Sequence, residues 1–212
     1  DRPSDFDYSW TGLSEWVVAA LDAAGIERFH LVVHDIGGPV GFDVVRRIPE
    51  HIQSLTVLNT KVYAASFHRP WVMEPFAYRG LGELWLQGLF TPMLILLMRM
   101  VGVNKGPSNA EIRAYGELLA RGDRGKAFLR MMRSFERTEE FEQRIVAALK
   151  ARSFPAQVIW GEQDPALKME KYAPELCEVL GLDDWHRLPG KHFLQEDSPQ
   201  QIADLVASLA RS

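Results

Sequence analysis

Apolar residues first recur at helical spacing in Leu13, Trp16, Val17, Ala20, Leu21 and Ala24, with Ser9 placed to cap that helix and Gly25 to stop it. The period then gives way to a short, almost wholly apolar run, Phe29-His30-Leu31-Val32-Val33, which reads as a strand. The run leads into His34-Asp35-Ile36-Gly37-Gly38, after which residues 39–48 can continue as a helix. Pro49 breaks the chain, and Ser54-Leu55-Thr56-Val57-Leu58-Asn59 reads as a second buried strand. Strand, helix and strand joined in this way predict an α/β fold with a parallel sheet.

Residues 61–152 show no convincing strand. Helical segments are expected at 82–90, 93–101, 109–121, 126–135 and 138–151, carrying large apolar residues such as Trp71, Met73, Phe76, Trp85, Leu96 and Met98. Most of these read as ordinary helix packing, and the whole as a helical lid inserted between strands. Strand signals resume at Ala156-Gln157-Val158-Ile159-Trp160, followed by a helix over 169–180, a short strand Trp185-His186-Arg187-Leu188, a loop Gly190-Lys191-His192 and a closing helix over 199–210. The expected organisation is therefore an N-terminal part of the core at 1–60, a helical cap at 61–152 and a C-terminal part of the core at 153–212.

Bulk properties narrow the function without naming it. The 212 residues are 47% hydrophobic and 25% charged, enough for one globular core. With net charge −4 and no basic block, nucleic acid is not an expected partner. The single cysteine, Cys177, excludes a disulfide framework and reads as a buried thiol. The opening residues are polar, and the most apolar stretch, 89–98, is interrupted by Pro92 and far short of the about 20 apolar residues that span a bilayer. A cytoplasmic protein with no membrane partner is expected.

Candidate chemistry sits where the strands end. Asp35, Asp164 and His192 each follow a predicted parallel strand, the edge at which α/β sheets place their sites. Each has a bland alternative: a helix cap, a turn before Pro165, or a loop histidine. The order nucleophile, acid, histidine along the chain outweighs these taken singly. A sharp strand-to-helix turn through small residues lifts Asp35 above the sheet and aims the backbone N–H of Ile36 beside it. A carboxylate there attacks alkyl carbon and forms an alkyl-enzyme ester. His192, oriented by Asp164, activates the water that cleaves it, and the Ile36 N–H stabilises the oxyanion. No metal and no organic cofactor is required.

The segment Leu31-Val32-Val33-His34-Asp35-Ile36-Gly37-Gly38-Pro39 resembles the nucleophile segment of haloalkane dehalogenases and related epoxide hydrolases of the α/β-hydrolase superfamily. Trp160-Gly161-Glu162-Gln163-Asp164-Pro165 resembles their acid loop, and Gly190-Lys191-His192-Phe193-Leu194-Gln195-Glu196-Asp197 the histidine segment of the dehalogenases. The resemblance implies Asp35 as nucleophile, His192 as general base and Asp164 as its orienting acid. It implies haloalkane dehalogenase-like hydrolysis first and epoxide hydrolysis second, on a small apolar organic substrate with water. Trp71, Phe193 and Leu194 are the candidate pocket residues.

Two departures qualify that resemblance. Dehalogenases carry a tryptophan after the nucleophile to hold the halide, and here Ile36 stands in its place, so Trp71 or Trp85 must substitute. Epoxide hydrolases protonate the leaving oxygen from lid tyrosines or histidine, for which Tyr63, His68, Tyr78 and Tyr115 are available. The family also has strands and a His-Gly-x-Pro loop ahead of the nucleophile strand, whereas only residues 1–8 precede the first helix. The expectation is an N-terminally truncated hydrolase with one exposed sheet edge. A serine hydrolase lacks its G-x-S-x-G, a dinucleotide turn lacks its first glycine, and the string His34-Asp35 follows a strand, unlike that of all-helical metal phosphohydrolases. A non-catalytic binding protein on the same fold is the alternative of another class.

Overall fold

The computed structural model describes residues 5–89, 92–104 and 106–211. The first residues of the polar opening, 1–4, and Phe90, expected to end a lid helix, lie outside them. Four strands, β1 (Phe29–His34), β2 (Ile52–Leu58), β3 (Ala156–Gly161) and β4 (His186–Leu188), form one parallel sheet in the order β1-β2-β3-β4. Because successive side chains of a strand face opposite ways, the sheet feeds two cores. Leu55, Val57, Val158 and Trp160 join the main cluster, while Leu58 and Ile159 pack on the other face with Leu194 and Ile202.

Helix α1 (Trp10–Ala23) begins as expected, with the Ser9 hydroxyl accepting from the Gly12 N–H. Its packed face is not the predicted stripe. Trp10, Gly12 and Ser14 are buried, whereas Trp16 and Ala24 are exposed. The reason is polar: the Ser14 hydroxyl bonds the fully buried Asp43 carboxylate of α2 (Gly37–Arg47), which Arg46 and Arg47 also hold. Among the described residues strand β1 pairs only with β2, and Val32 is 44% exposed although its apolar character calls for cover.

Between β2 and β3 lie α3 (Leu81–Gly88), α4 (Met93–Leu97), a π-helical turn (Met98–Gly102), α5 (Asn109–Ala120), α6 (Lys126–Arg133) and α7 (Glu139–Lys150), with no strand among the described residues. The helix expected over 93–101 is thus α only in its first half. Phe76, Leu86, Leu129 and Met132 make one small core here, and Met98, Val103 and Ile112 another. Helix α7 differs: its Phe141, Ile145 and Leu149 belong to the main core. Helix α8 (Met169–Leu180) follows β3 and contributes Ala173, Leu176 and Leu180 to that core. The short α9 (Leu194–Asp197) and α10 (Pro199–Leu209) close the chain. Among the described residues no single helix is long and apolar enough to cross a membrane.

Candidate active site

Asp35 sits at the turn from β1 into α2 with φ 47°, a left-handed conformation that costs a residue with a Cβ. The turn is held from three sides. The Asp35 N–H donates to Asn59 O at 3.3 Å, its carbonyl accepts the Gly38 N–H at 2.9 Å, and the Thr60 hydroxyl donates to the same carbonyl at 2.6 Å. Gly38 is required by this packing, because a Cβ there meets Thr60 Oγ1 at 2.1 Å.

His192 and Asp164 come to the same edge from the loops after β4 and β3. His192 Nδ1 lies 2.9 Å from Asp164 Oδ2, and Nε2 lies 3.5 Å from Asp35 Oδ1. Since a carboxylate only accepts, Nδ1 carries a proton. The Asp164 side chain is fully buried and fully used: Oδ1 accepts the N–H groups of Ala166 and Leu167, and Oδ2 accepts Asn59 Nδ2 at 2.7 Å besides His192. The histidine backbone is also tied down. His34 Nε2 donates to His192 O at 2.7 Å, and the Phe193 N–H donates to Gly102 O at 2.8 Å. Asp197, at the end of the same segment, accepts the N–H groups of both Lys191 and Asn104.

Burial works against the charge on Asp35, but the bond from His192 and the His192 charge outweigh it and hold the carboxyl down to about 2. The His34 charge and the Ile36 N–H act in the same direction. Burial likewise disfavours the imidazolium of His192, yet the bonds to Asp164 and Asp35 win and raise its pKa well above the ordinary histidine range. For His34 burial comes first and the neighbouring His192 charge second, and its pKa is lowered. The downward shift favours the neutral form of His34, and the upward shift favours the imidazolium of His192 for as long as Asp35 is a carboxylate.

Asp35 and His192 open into a cavity of about 280 Å³ whose apolar wall includes Ile36, Trp85, Leu94, Met98, Phe128 and Phe193. The Asp35 side chain keeps 41% of its surface because it faces that space. Of the expected pocket residues only Phe193 lines it. Trp71 is 65% exposed and borders a separate surface groove, because the preceding Pro70 and the following Val72 take the inward positions. Leu194 is fully buried against Leu58 and Ile159 on the far face of the sheet. Trp85 does reach the cavity, but its indole N–H donates to Val72 O at 3.0 Å. None of Tyr63, His68, Tyr78 and Tyr115 lines it. The Tyr78 hydroxyl bonds Glu74, the Tyr115 hydroxyl bonds Glu196, and His68 bonds Ser66 O.

Three site residues escaped the sequence reading: Asn59, Thr60 and Lys61, consecutive after β2. The available signal was their position, three polar residues ending an apolar strand beside the strand that leads to Asp35. Among the described residues no group of three or more His, Cys, Asp or Glu side chains could hold a metal ion.

The sequence matches the family described as "alpha/beta hydrolase fold" over residues 1–199. Haloalkane dehalogenase 2 of Mycobacterium tuberculosis is 24% identical over 215 residues, covering 97% of this chain and 72% of the relative. Epoxide hydrolase 1 of Caenorhabditis elegans is 23% identical over 227 residues, covering 97% of this chain and 54% of the relative. The crystal structure of Cfl2 from Burkholderia cenocepacia superposes with a TM-score of 0.83 at 20% identity, covering all of this chain and 74% of that one.

Proposed function

Since the chain belongs to the alpha/beta hydrolase fold family, we propose that it hydrolyses a small apolar electrophile through a covalent ester between a substrate carbon and Asp35. The observation that carries this reading is the line Asp35, His192, Asp164, at 3.5 and 2.9 Å, opening into an apolar cavity. An apolar wall strips water from the carboxylate and makes it a better nucleophile. Helices α3 to α6 act as the cap that supplies much of that wall.

Alkylation also prepares the second step. While Asp35 is charged, His192 is held as imidazolium. Once Asp35 becomes a neutral ester, one of the two anions beside His192 is gone and its pKa falls. The imidazolium releases its Nε2 proton to solvent, and the neutral imidazole then takes a proton from water, whose hydroxyl adds to the ester carbonyl carbon. The Ile36 N–H, already directed at the carboxylate, stabilises the oxyanion.

The cavity donors favour a strained cyclic ether as the electrophile, in the manner of an epoxide hydrolase. A halide must be held where it departs, yet Ile36 has no side-chain donor, Trp85 is bonded elsewhere and Trp71 points away. Carbon–halogen hydrolysis is the second reading. It is supported by the dehalogenase relative and by Trp10, which lines the cavity with an indole Nε1 unpartnered among the described residues. The test is His192→Gln, which stalls the ester, incubated with terminal epoxides and primary bromoalkanes. Mass analysis should find the alkyl group on the peptide containing Asp35. Substrate binding without any adduct would retire the enzymatic reading in favour of a binding protein.

A further inference from the structure

Lys61 is 6% exposed, lies three residues beyond β2 and lines the cavity that contains Asp35. Its Nζ has no hydrogen-bond partner among the described residues. The ammonium stands over the Phe67 ring and 5.7 Å from the centroid of Trp10. Aromatic faces support a cation but do not use up its N–H groups. A core lysine kept only for packing is a poor choice, because a buried amine without a partner costs stability that methionine in the same space does not.

We propose that Lys61 is the proton donor to the oxygen that leaves carbon when Asp35 attacks a strained cyclic ether. The inference rests on Asp35 being the nucleophile. An Asp35 oxygen forms a bond to the ring carbon, the ring C–O bond breaks, and its electron pair goes to the oxygen. One Nζ–H proton moves to that oxygen, leaving a hydroxyalkyl ester on Asp35 and a neutral amine. The ammonium and carboxylate charges vanish together in this step, which therefore draws on the protonated fraction of Lys61 and slows as pH rises through about 5. In the hydrolysis that follows, hydroxide from water adds to the Asp35 carbonyl carbon, and the bond from that carbon to the alkoxy oxygen breaks. The alkyl oxygen takes the proton held by His192, and the proton released by the restored Asp35 carboxyl returns to Lys61. One water is consumed and one diol is formed.

The surroundings suit a strong acid. Burial pulls the Lys61 pKa down to about 5, with repulsion from Arg137 and Arg69 adding to it, while the Asp35 carboxylate opposes the shift. Besides Asp35 and Lys61, the titratable groups lining the same cavity are Arg69 and His192.

The experiment compares His192→Gln with His192→Gln/Lys61→Met, measuring the rate of adduct formation on Asp35 with 1,2-epoxyhexane and with 1-bromohexane. Bromide leaves without a proton, so the informative quantity is the epoxide-to-bromide rate ratio. It should fall by about 100-fold or more in the double variant, the scale of a positioned general acid. The epoxide rate of the single variant should also decline as pH rises, and that decline should be absent once Lys61 is gone. A thermal melt checks folding, and Lys61→Met should melt no lower than its parent. An unchanged ratio, or a pH decline that persists without Lys61, overturns the proposal while leaving Asp35 as nucleophile. No adduct from either reagent overturns both.

Discussion

Asn59 holds Asp164 in place: its Nδ2 donates to Asp164 Oδ2 at 2.7 Å, and its own Oδ1 accepts the Gly161 N–H at 3.0 Å. One fully buried side chain thereby links the end of β3 to the carboxylate that orients His192. Asn59→Ala removes both bonds and should lower kcat by about 10- to 100-fold, part of what a positioned base contributes, with KM little changed. The Gly161 N–H left unpaired should cost about 1–3 kcal/mol of stability, and the lost bond to Asp164 Oδ2, which keeps His192, less. Steady-state kinetics with a urea melt separate the two. A kcat equal to that of the parent would show that Asp164 needs no such support.

The juxtaposition of Asp35, Asp164 and His192 was legible because each lies within four residues of the end of a strand, and parallel strands all end on one side. Asn59 obeys the same rule yet looks like a turn residue, and its role depends on a partner 105 positions away. The cap resisted reading for another reason. Trp71 and Trp85 are equivalent by type, and only the packing of Pro70, Val72 and Phe76 decides which ring turns inward. The stripe on α1 misled because apolar periodicity ignores a buried Ser14–Asp43 contact, which determines the packed side of that helix.

The coupling of His192 to Asp35 makes stability depend on pH in a defined direction. A folded-state pKa above the unfolded value adds stability that is complete below the unfolded pKa, about 6.5, and is lost as pH rises through the folded one. Asp35, lowered to about 2, acts oppositely: its contribution is present above its unfolded value and is lost as pH falls through about 2. The melting temperature should therefore decline on the alkaline side through the raised His192 pKa. In Asp35→Asn that decline should begin at the same pH, which the unfolded state sets, but finish at lower pH, since one of the two anions is gone. Imidazole C–H chemical shifts give the pKa directly, and an unaltered His192 titration in Asp35→Asn would contradict the proposed activation of the base by esterification.

Gly38 and Thr60 form a tight pair under the elbow. In Gly38→Ala the new Cβ meets the Thr60 side chain at 2.1 to 2.8 Å, so the hydroxyl must swing off the Asp35 carbonyl. We expect a loss of about 1–3 kcal/mol from overpacking and a drop in activity as the elbow shifts. Thr60→Ala opens the space, so the double variant should be more stable than the sum of the two single effects predicts. A double-mutant cycle by denaturant melts measures this coupling, and simple additivity would mean that the two residues do not compete for the same space.

Asp35 itself separates backbone strain from chemistry. At φ 47° the residue pays for a left-handed conformation, which asparagine tolerates well and β-branched residues do not. Asp35→Asn keeps the shape of the side chain and the bonds of the backbone N–H and carbonyl of residue 35 to Asn59, Gly38 and Thr60. It should fold normally, bind small apolar ligands and form no adduct with any electrophile. Asp35→Val is equally unable to attack carbon but must also hold its Cβ branch at positive φ, at a cost of roughly 1–2 kcal/mol. The stability gap between these two inactive variants therefore reads the strain of the elbow together with the His192 Nε2 bond that asparagine can still accept and valine cannot. Equal melting temperatures would show that residue 35 relaxes out of the left-handed region when the side chain asks it to, and that the turn is not imposed by Asn59, Thr60 and Gly38.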